Sequence, residues 1–194
     1  MTVVTVLSIV AFVRPSEKIK VEQTNMNNFH LVDFVGWNTS MAVLAHYHTT
    51  DVKVFGAGYA TNGMKEHETV LKGMIAKMPD AKIIQHFPNV ARGEWTGVVG
   101  ITGNFKMATV AKWRNGQIAE EYLFNVMIPA NDAATMKPSA KPIISFENAN
   151  DQELSDAVDL QAGWNCIMDE LNGKRTAYFY KKVDGKEVER LVFQ

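Results

Sequence analysis

Glu121 and His67 are the residues of this chain best placed by type and spacing to move a proton. Glu121 falls in the run Gln117 to Met127. Alternation there sets Ala119, Glu121, Leu123 and Asn125 on one face, and Glu120, Tyr122 and Phe124 on the other. A carboxyl turned into an apolar hollow is desolvated, its pKa rises, and it suits a general base. The competing arrangement pairs Glu121 with Lys106 or Lys112 on the neighbouring strand, at a rim. His67 lies beside the apolar stripe Val70, Leu71, Met74 and Met78 of a helical segment. It either points into the hollow as an acid, a base or a ligand contact, or is a satisfied structural group. His46 and His48 flank Tyr47, and an i, i+2 pair does not share a helical face. No nearby Cys or carboxylate pattern completes a ligand set; Asp51 would take part only if it turned inward, and it suits a turn or cap better. Neither a metal ion nor a cofactor is expected. No Gly-rich phosphate loop, Ser nucleophile elbow or thiol site is visible. Trp37, Met74, Trp95 and Met107 are expected to touch a small hydrophobic guest, with Leu123 and Asn125 on the Glu121 face. Trp95 and Trp113 could equally pack a core or a dimer face.

The elements that position these residues read as follows. Phe105 to Met127 makes two long strands joined by Asn115-Gly116, a pair that tolerates the positive φ a tight I′ turn needs twice. Glu94 to Thr102 adds a third strand through Gly103-Asn104. Asp51 to Phe55 alternates as a strand, and Lys82 to Phe87 makes another, ended by Pro88-Asn89. Upstream, Asn27 or Asn28 caps a short helix to about Val35, Gly36 interrupts it, and Asn38 to Ser40 caps a second helix to about His46. Lys65 to Lys77 is a third helix, stopped by Pro79. Helices segregated from an antiparallel meander indicate an α+β fold. A strongly bent sheet covered by one helix leaves a cavity between them.

The 194 residues carry a net charge of −1, with 46% hydrophobic and 21% charged residues. That is ordinary for a soluble globule and argues against nucleic acid, which wants a basic face. Cys166 stands alone, so there is no disulfide framework and no Cys-based zinc site. Thr2 to Val13 is an apolar run of about a dozen residues, too short to span a bilayer as a helix. No membrane role is expected, and the expected location is the cytoplasm. No Lys or Arg precedes that run, and Arg14-Pro15 follows where a signal would be cleaved. Residues 1–25 read as a leader or an extra strand, with Met26 as a second possible start. Residues 26–129 read as the main domain, 130–150 as a linker and 151–194 as a C-terminal unit. In that unit Asp151 to Leu171 reads as an amphipathic helix, with Ala157, Leu160, Trp164, Ile167 and Leu171 on one side and Gly173 as its αL stop. Thr176 to Lys182 and Lys186 to Phe193 flank Asp184-Gly185 as a terminal hairpin. About 50 residues bury too little surface alone, so this unit is expected to pack on the main domain or on a second subunit.

The stretch from Trp37 to Phe124 resembles the SnoaL-like, polyketide-cyclase or ester-cyclase branch of the nuclear-transport-factor-2-like superfamily. The matching pieces are Trp37-Asn38 with Met41 and Leu44, Asp51 to Val54, Gly63 with Glu66-His67, and Met78-Pro79-Asp80. They continue in Gly93 to Thr96 with Gly103, Met107-Ala108-Thr109, Lys112 to Ile118 and Glu120 to Phe124. The resemblance implies a cone, in which a curved antiparallel sheet wraps helices around a ligand cavity, and a homodimer. It implies a cofactor-independent cyclase, isomerase or hydrolase, or a binding or dimerisation module that has lost the chemistry. Relatives carry a long excursion where Gly103-Asn104 stands here, so another part of the chain, such as the C-terminal unit, would have to roof the cavity. The Asp that serves such cyclases as acid/base aligns with Leu123, and a later Asp of relatives with Asn125. Neither residue exchanges a proton near neutral pH.

Overall fold

The computed structural model describes residues 17–102, 105–127, 144–145 and 163–194, so the expectations for residues 1–16, for the Gly103-Asn104 turn and for most of 128–162 lie outside the described residues. Helix α1 (Glu17–Leu31) starts well before the expected Asn27/Asn28 cap, and residues 17–25, assigned above to a leader, are its first turns. Its buried face is Ile19, Glu22, Asn25, Met26 and Phe29. Two of those five are polar, which hides the helix from a search for apolar periodicity. Both are anchors: the Glu22 carboxylate accepts from the Gly93 N–H, and Asn25 Nδ2 donates to Gly93 O at 3.4 Å. Asn28, rather than capping a helix, donates to Gly116 O at 2.9 Å. The helix is therefore tied to two hairpin turns.

The chain stays helical through a π-helical turn, Val32–Trp37, and then enters α2 (Met41–His46). Ser40 caps α2, its hydroxyl accepting from the Val43 N–H. Gly36 does not break the helix. It lets α2 approach, because a Cβ there would stand 2.9 Å from Leu44 Cβ. Helix α3 (Met64–Lys77) ends just before Pro79, as the sequence implies.

The first sheet runs in the order β2-β1-β6-β5-β4-β3. Its strands are β1 (His48–Gly56), β2 (Tyr59–Asn62), β3 (Gln85–Arg92), β4 (Trp95–Ile101), β5 (Phe105–Arg114) and β6 (Gln117–Met127). Asn115 and Gly116 join β5 to β6 at φ 53° and 77°. The architecture is α+β with a curved sheet, but the sheet is mixed: β1 runs parallel to β6, while every other pair is antiparallel. Pro88 does not end β3. That strand is at the sheet edge, where a missing N–H is tolerated, and its register slips between His86 and Asn89.

A second sheet, ordered β10-β9-β8-β7, comprises β7 (Ile144–Ser145), β8 (Trp164–Leu171), β9 (Lys174–Val183) and β10 (Lys186–Phe193). Residues 164–171, expected as the end of a helix, are thus a strand. Trp164, Cys166 and Met168 face one core and Ile167 another, a period of two that a helical reading averages away. Gly173 is not a helix stop: with Asn172 it forms the β8–β9 turn, at φ 53° and 74°. The C-terminal unit packs on the outer face of the first sheet. Val90, Val99, Ala108, Val110, Tyr122 and Phe124 meet Trp164, Cys166, Met168, Ala177, Phe179 and Phe193 there.

This contact is tight at Gly97, where a Cβ would lie 3.1 Å from Cys166 Sγ and 3.2 Å from Val90 Cγ2. Gly97→Ala should cost about 1–3 kcal/mol by overpacking, read as a lower urea midpoint. Buried Cys166, whose thiol burial pushes up, should be inert to thiol reagents in the wild type and reactive in the variant. An unchanged midpoint with unchanged labelling would show that the sheets are not in close contact at this point.

Candidate functional site

A cavity opens between the inner face of the first sheet and the helices. It is lined by Val32, Asp33 and Trp37 of the π-helical turn, Leu44, His48, Tyr59, and His67, Leu71, Met74 and Met78 along and just beyond α3. Phe105, Met107, Glu121, Leu123 and Asn125 complete it from β5 and β6. Its free volume is about 40 Å³. That is room for a water or two and far below the roughly 300–1,000 Å³ of sites that enclose drug-sized ligands.

The inner end of the cavity is polar and fully buried. Glu121 points inward from the middle of β6, as alternation requires, while Tyr122 and Phe124 turn outward under the second sheet. The partner of Lys112 is Glu120, at 3.9 Å, not Glu121. His67 reaches the carboxylate from α3, whose start is pinned: Gly63 N–H donates to Val52 O at 2.7 Å and Asn62 N–H to Glu66 Oε2 at 2.8 Å. One turn on, His67 faces inward with Leu71. His48 comes from the start of β1. Its Nδ1 lies 2.7 Å from Leu44 O, and since a carbonyl only accepts, Nδ1 carries the proton. That turns Nε2 toward Glu121. The separations are 3.7 Å from His48 Nε2 and 3.5 Å from His67 Nε2 to Glu121 Oε2. Both exceed hydrogen-bond length.

Burial pushes the Glu121 carboxyl up, but the two imidazoles beside it outweigh that, and the group sits below the usual range. Burial lowers His67 to about 4, against the pull of Glu121. Two further groups face the same space. Burial, opposed by a 2.9 Å bond from His86 Nε2, holds the Asp33 carboxyl above its usual value. Burial, with the Glu121 charge second, raises Tyr59, whose buried hydroxyl has no hydrogen-bond partner.

The cavity thus gathers Glu121 and His67 with Trp37, Met74, Met107, Leu123 and Asn125. Trp95 is elsewhere: it packs on the outer face against the inter-sheet core, with Lys112 Nζ 5.4 Å from its ring centre. Trp113 is core, buried under α1 with its indole N–H on Thr96 Oγ1. The described part of the C-terminal unit does not roof the cavity. His48, Asp33, His86 and Tyr59 were missed by the sequence reading. The expectation that no carboxylate completes a ligand set around His48 needs correcting, because Glu121 and His67 close on it from β6 and α3. Local spacing around Tyr47 carries no trace of that long-range contact.

No family model matches the sequence, and no curated protein matches it significantly. Among the solved structures it resembles are SnoaL-like and nuclear-transport-factor-2-like proteins. One is named as a candidate SnoaL-like polyketide cyclase, from Jannaschia sp. CCS1; at 13% identity the match covers 54% of this chain and 87% of that one, with TM-score 0.46. Wild-type IdmH, a candidate polyketide cyclase from Streptomyces antibioticus, gives 14%, 52%, 91% and 0.45. A protein of unknown function from Cytophaga hutchinsonii gives 9%, 55%, 99% and 0.45. At such identities the likeness bears on fold alone.

The depressed pKa of His67 makes the fold sensitive to acid. The unfolded chain takes up this proton below the ordinary 6.5 and the folded chain only near 4. Stability is therefore present above 6.5 and lost as pH falls toward 4, by on the order of 3 kcal/mol. Glu121, which faces it with His48, adds its own loss only below its ordinary 4.5. In urea titrations between pH 7 and pH 5, His67→Asn should flatten the fall in stability. Parallel wild-type and variant curves would show that His67 is not buried neutral.

Proposed function

We propose that the protein binds a small, mainly apolar molecule in this cavity and carries out proton-transfer chemistry on its polar end, in the class of cyclases, isomerases and hydrolases. The observation that supports this is a buried polar pole, Glu121 with His67 and His48, at the inner end of a cavity walled by Leu71, Met74, Met107 and Leu123. Glu121 and His67 are the groups in reach of a guest's ionisable hydrogen, and Asp33 can return a proton from the facing wall. The body of the guest displaces methionines. Met74, Met78 and Met107 line the cavity, and unbranched Met side chains repack at little cost. On this reading the working unit is a homodimer in the cytoplasm.

The 40 Å³ volume, with Leu123 and Asn125 in place of acids, favours a second reading, a binding or dimerisation module without turnover. One experiment separates the two. A panel of small apolar carbonyl compounds and esters is screened by thermal shift, and each binder is followed for conversion. The first reading expects a binder that is converted, with Glu121→Gln lowering the rate by about 100-fold or more while the fold stays intact. A binder that is never converted supports the second reading. Conversion unaffected by Glu121→Gln removes this pole from the mechanism.

A further inference from the structure

We propose that His48, His67 and Glu121 bind a divalent transition-metal ion of the zinc class. The inference rests on the reading of this pole as the reactive end of the cavity and supplies the group that acts there. One ligand atom from each of the three side chains lies within 4.8 Å of the other two. The two distances to Glu121 Oε2, 3.7 Å from His48 Nε2 and 3.5 Å from His67 Nε2, are too long for hydrogen bonds. They are close to the separation of two ligands on one ion: atoms each about 2.1 Å from a tetrahedral zinc stand about 3.4 Å apart. A shared ion accounts for this spacing.

The tautomer of His48 agrees. Its Nδ1–H is spent on Leu44 O, the kind of backbone contact that orients metal-binding imidazoles and leaves the other nitrogen bare. That bare Nε2 has no hydrogen-bond partner, and the side chain is 1% exposed. The donors come from three separate elements, β1, α3 and β6, so an ion would clamp strand to helix. Two imidazoles and one carboxylate select zinc, cobalt, nickel or ferrous iron over magnesium and calcium, which take oxygen ligands. Three protein ligands would leave a fourth position open, and all three side chains line the cavity. A water held there ionises near neutral pH, releasing its proton to solvent, or the polar end of a guest is polarised in its place. The proton-accepting role then passes from Glu121 to the ion-bound hydroxide.

The test uses the full chain, stripped with a chelator and dialysed. Titration with Co²⁺ should give one equivalent per chain with the intense visible absorption of a tetrahedral site. Zn²⁺ should abolish that absorption and raise the thermal midpoint. Glu121→Gln, which keeps the side-chain shape, and His67→Asn should each weaken binding roughly tenfold or more. His46→Asn, at an exposed neighbouring position, should leave binding unchanged. Absence of a stoichiometric site, or binding lost in His46→Asn and kept in Glu121→Gln, would overturn the proposal. If no metal binds yet Glu121→Gln still abolishes conversion of a guest, the metal falls and the acid/base reading stands. If metal binds as described while no guest enters, the metal site stands and the ligand reading falls.

Discussion

A carboxylate in the middle of a strand covered on both faces sets the terms for the residues around it. β6 lies inside the first sheet, between β1 and β5, so both its edges are paired. Its outward side chains Tyr122 and Phe124 are sealed under the second sheet, and its inward face lies against the helices. Glu121, 5% exposed, is cut off from bulk solvent and depends on polar partners within the fold. Removing the partner of a buried charge typically costs about 3–5 kcal/mol. The two imidazoles that meet Glu121 come from separate elements, the start of β1 and the first turn of α3.

The second sheet matters to the site although none of its described residues lines the cavity. By covering the outer face it makes β6 a two-sided core strand, so that Glu121 cannot relax toward solvent by shifting the strand. The anchors of α1 act from the other side. Glu22 and Asn25 hold the β3–β4 turn and Asn28 holds the β5–β6 turn, clamping the helix layer to the sheet at two points. Site groups carried on strands and helices packed this way keep their geometry better than groups on loops.

Much of this was legible in the sequence where a local rule is strong. Asn115-Gly116 and Asp184-Gly185 form the turns they signal, because few other residue pairs accept positive φ twice. Alternation assigned the faces of β6, and the stripe of α3 carried Met74, with His67 beside it, while leaving the direction of His67 open. The failures have physical causes. Trp164, Ile167 and Leu171 fit both a helical stripe and a strand, and Asn172-Gly173 offers the same left-handed backbone to a helix stop and to a hairpin turn. The hairpin prevailed because β8 has Trp164, Cys166 and Met168 to bury against the first sheet. α1 was shortened because its anchoring residues are polar. The spacing around His48 does not reveal its partner, because Glu121 is remote in sequence and is brought near by the parallel β1–β6 pairing.

The π-helical turn shows how the opposite wall is built. In an α-helix, residues five apart drift off a common face, whereas i→i+5 bonding restores them to it. Val32 and Trp37 are five apart, and both line the cavity, with Asp33 between them. The indole N–H of Trp37 donates to Ala81 O at 2.7 Å, and the Asn38 amide bonds Ile83 O and the Ile83 N–H at 2.8 Å each, so the widened turn is fastened to the segment leading into β3. That segment brings His86, which holds Asp33 at 2.9 Å and stacks on Phe34 at 4.3 Å. A π-helical turn is rare beside an α-helical one, and these bonds fasten it in place. The result is a second carboxyl aimed into the same narrow space as Glu121, with its own imidazole behind it. Two carboxyl–imidazole groups facing each other across about 40 Å³ leave room for water or the polar tip of a guest between them. On the proposed reading, the apolar remainder of a guest lies outward, beside Met74 and Met78.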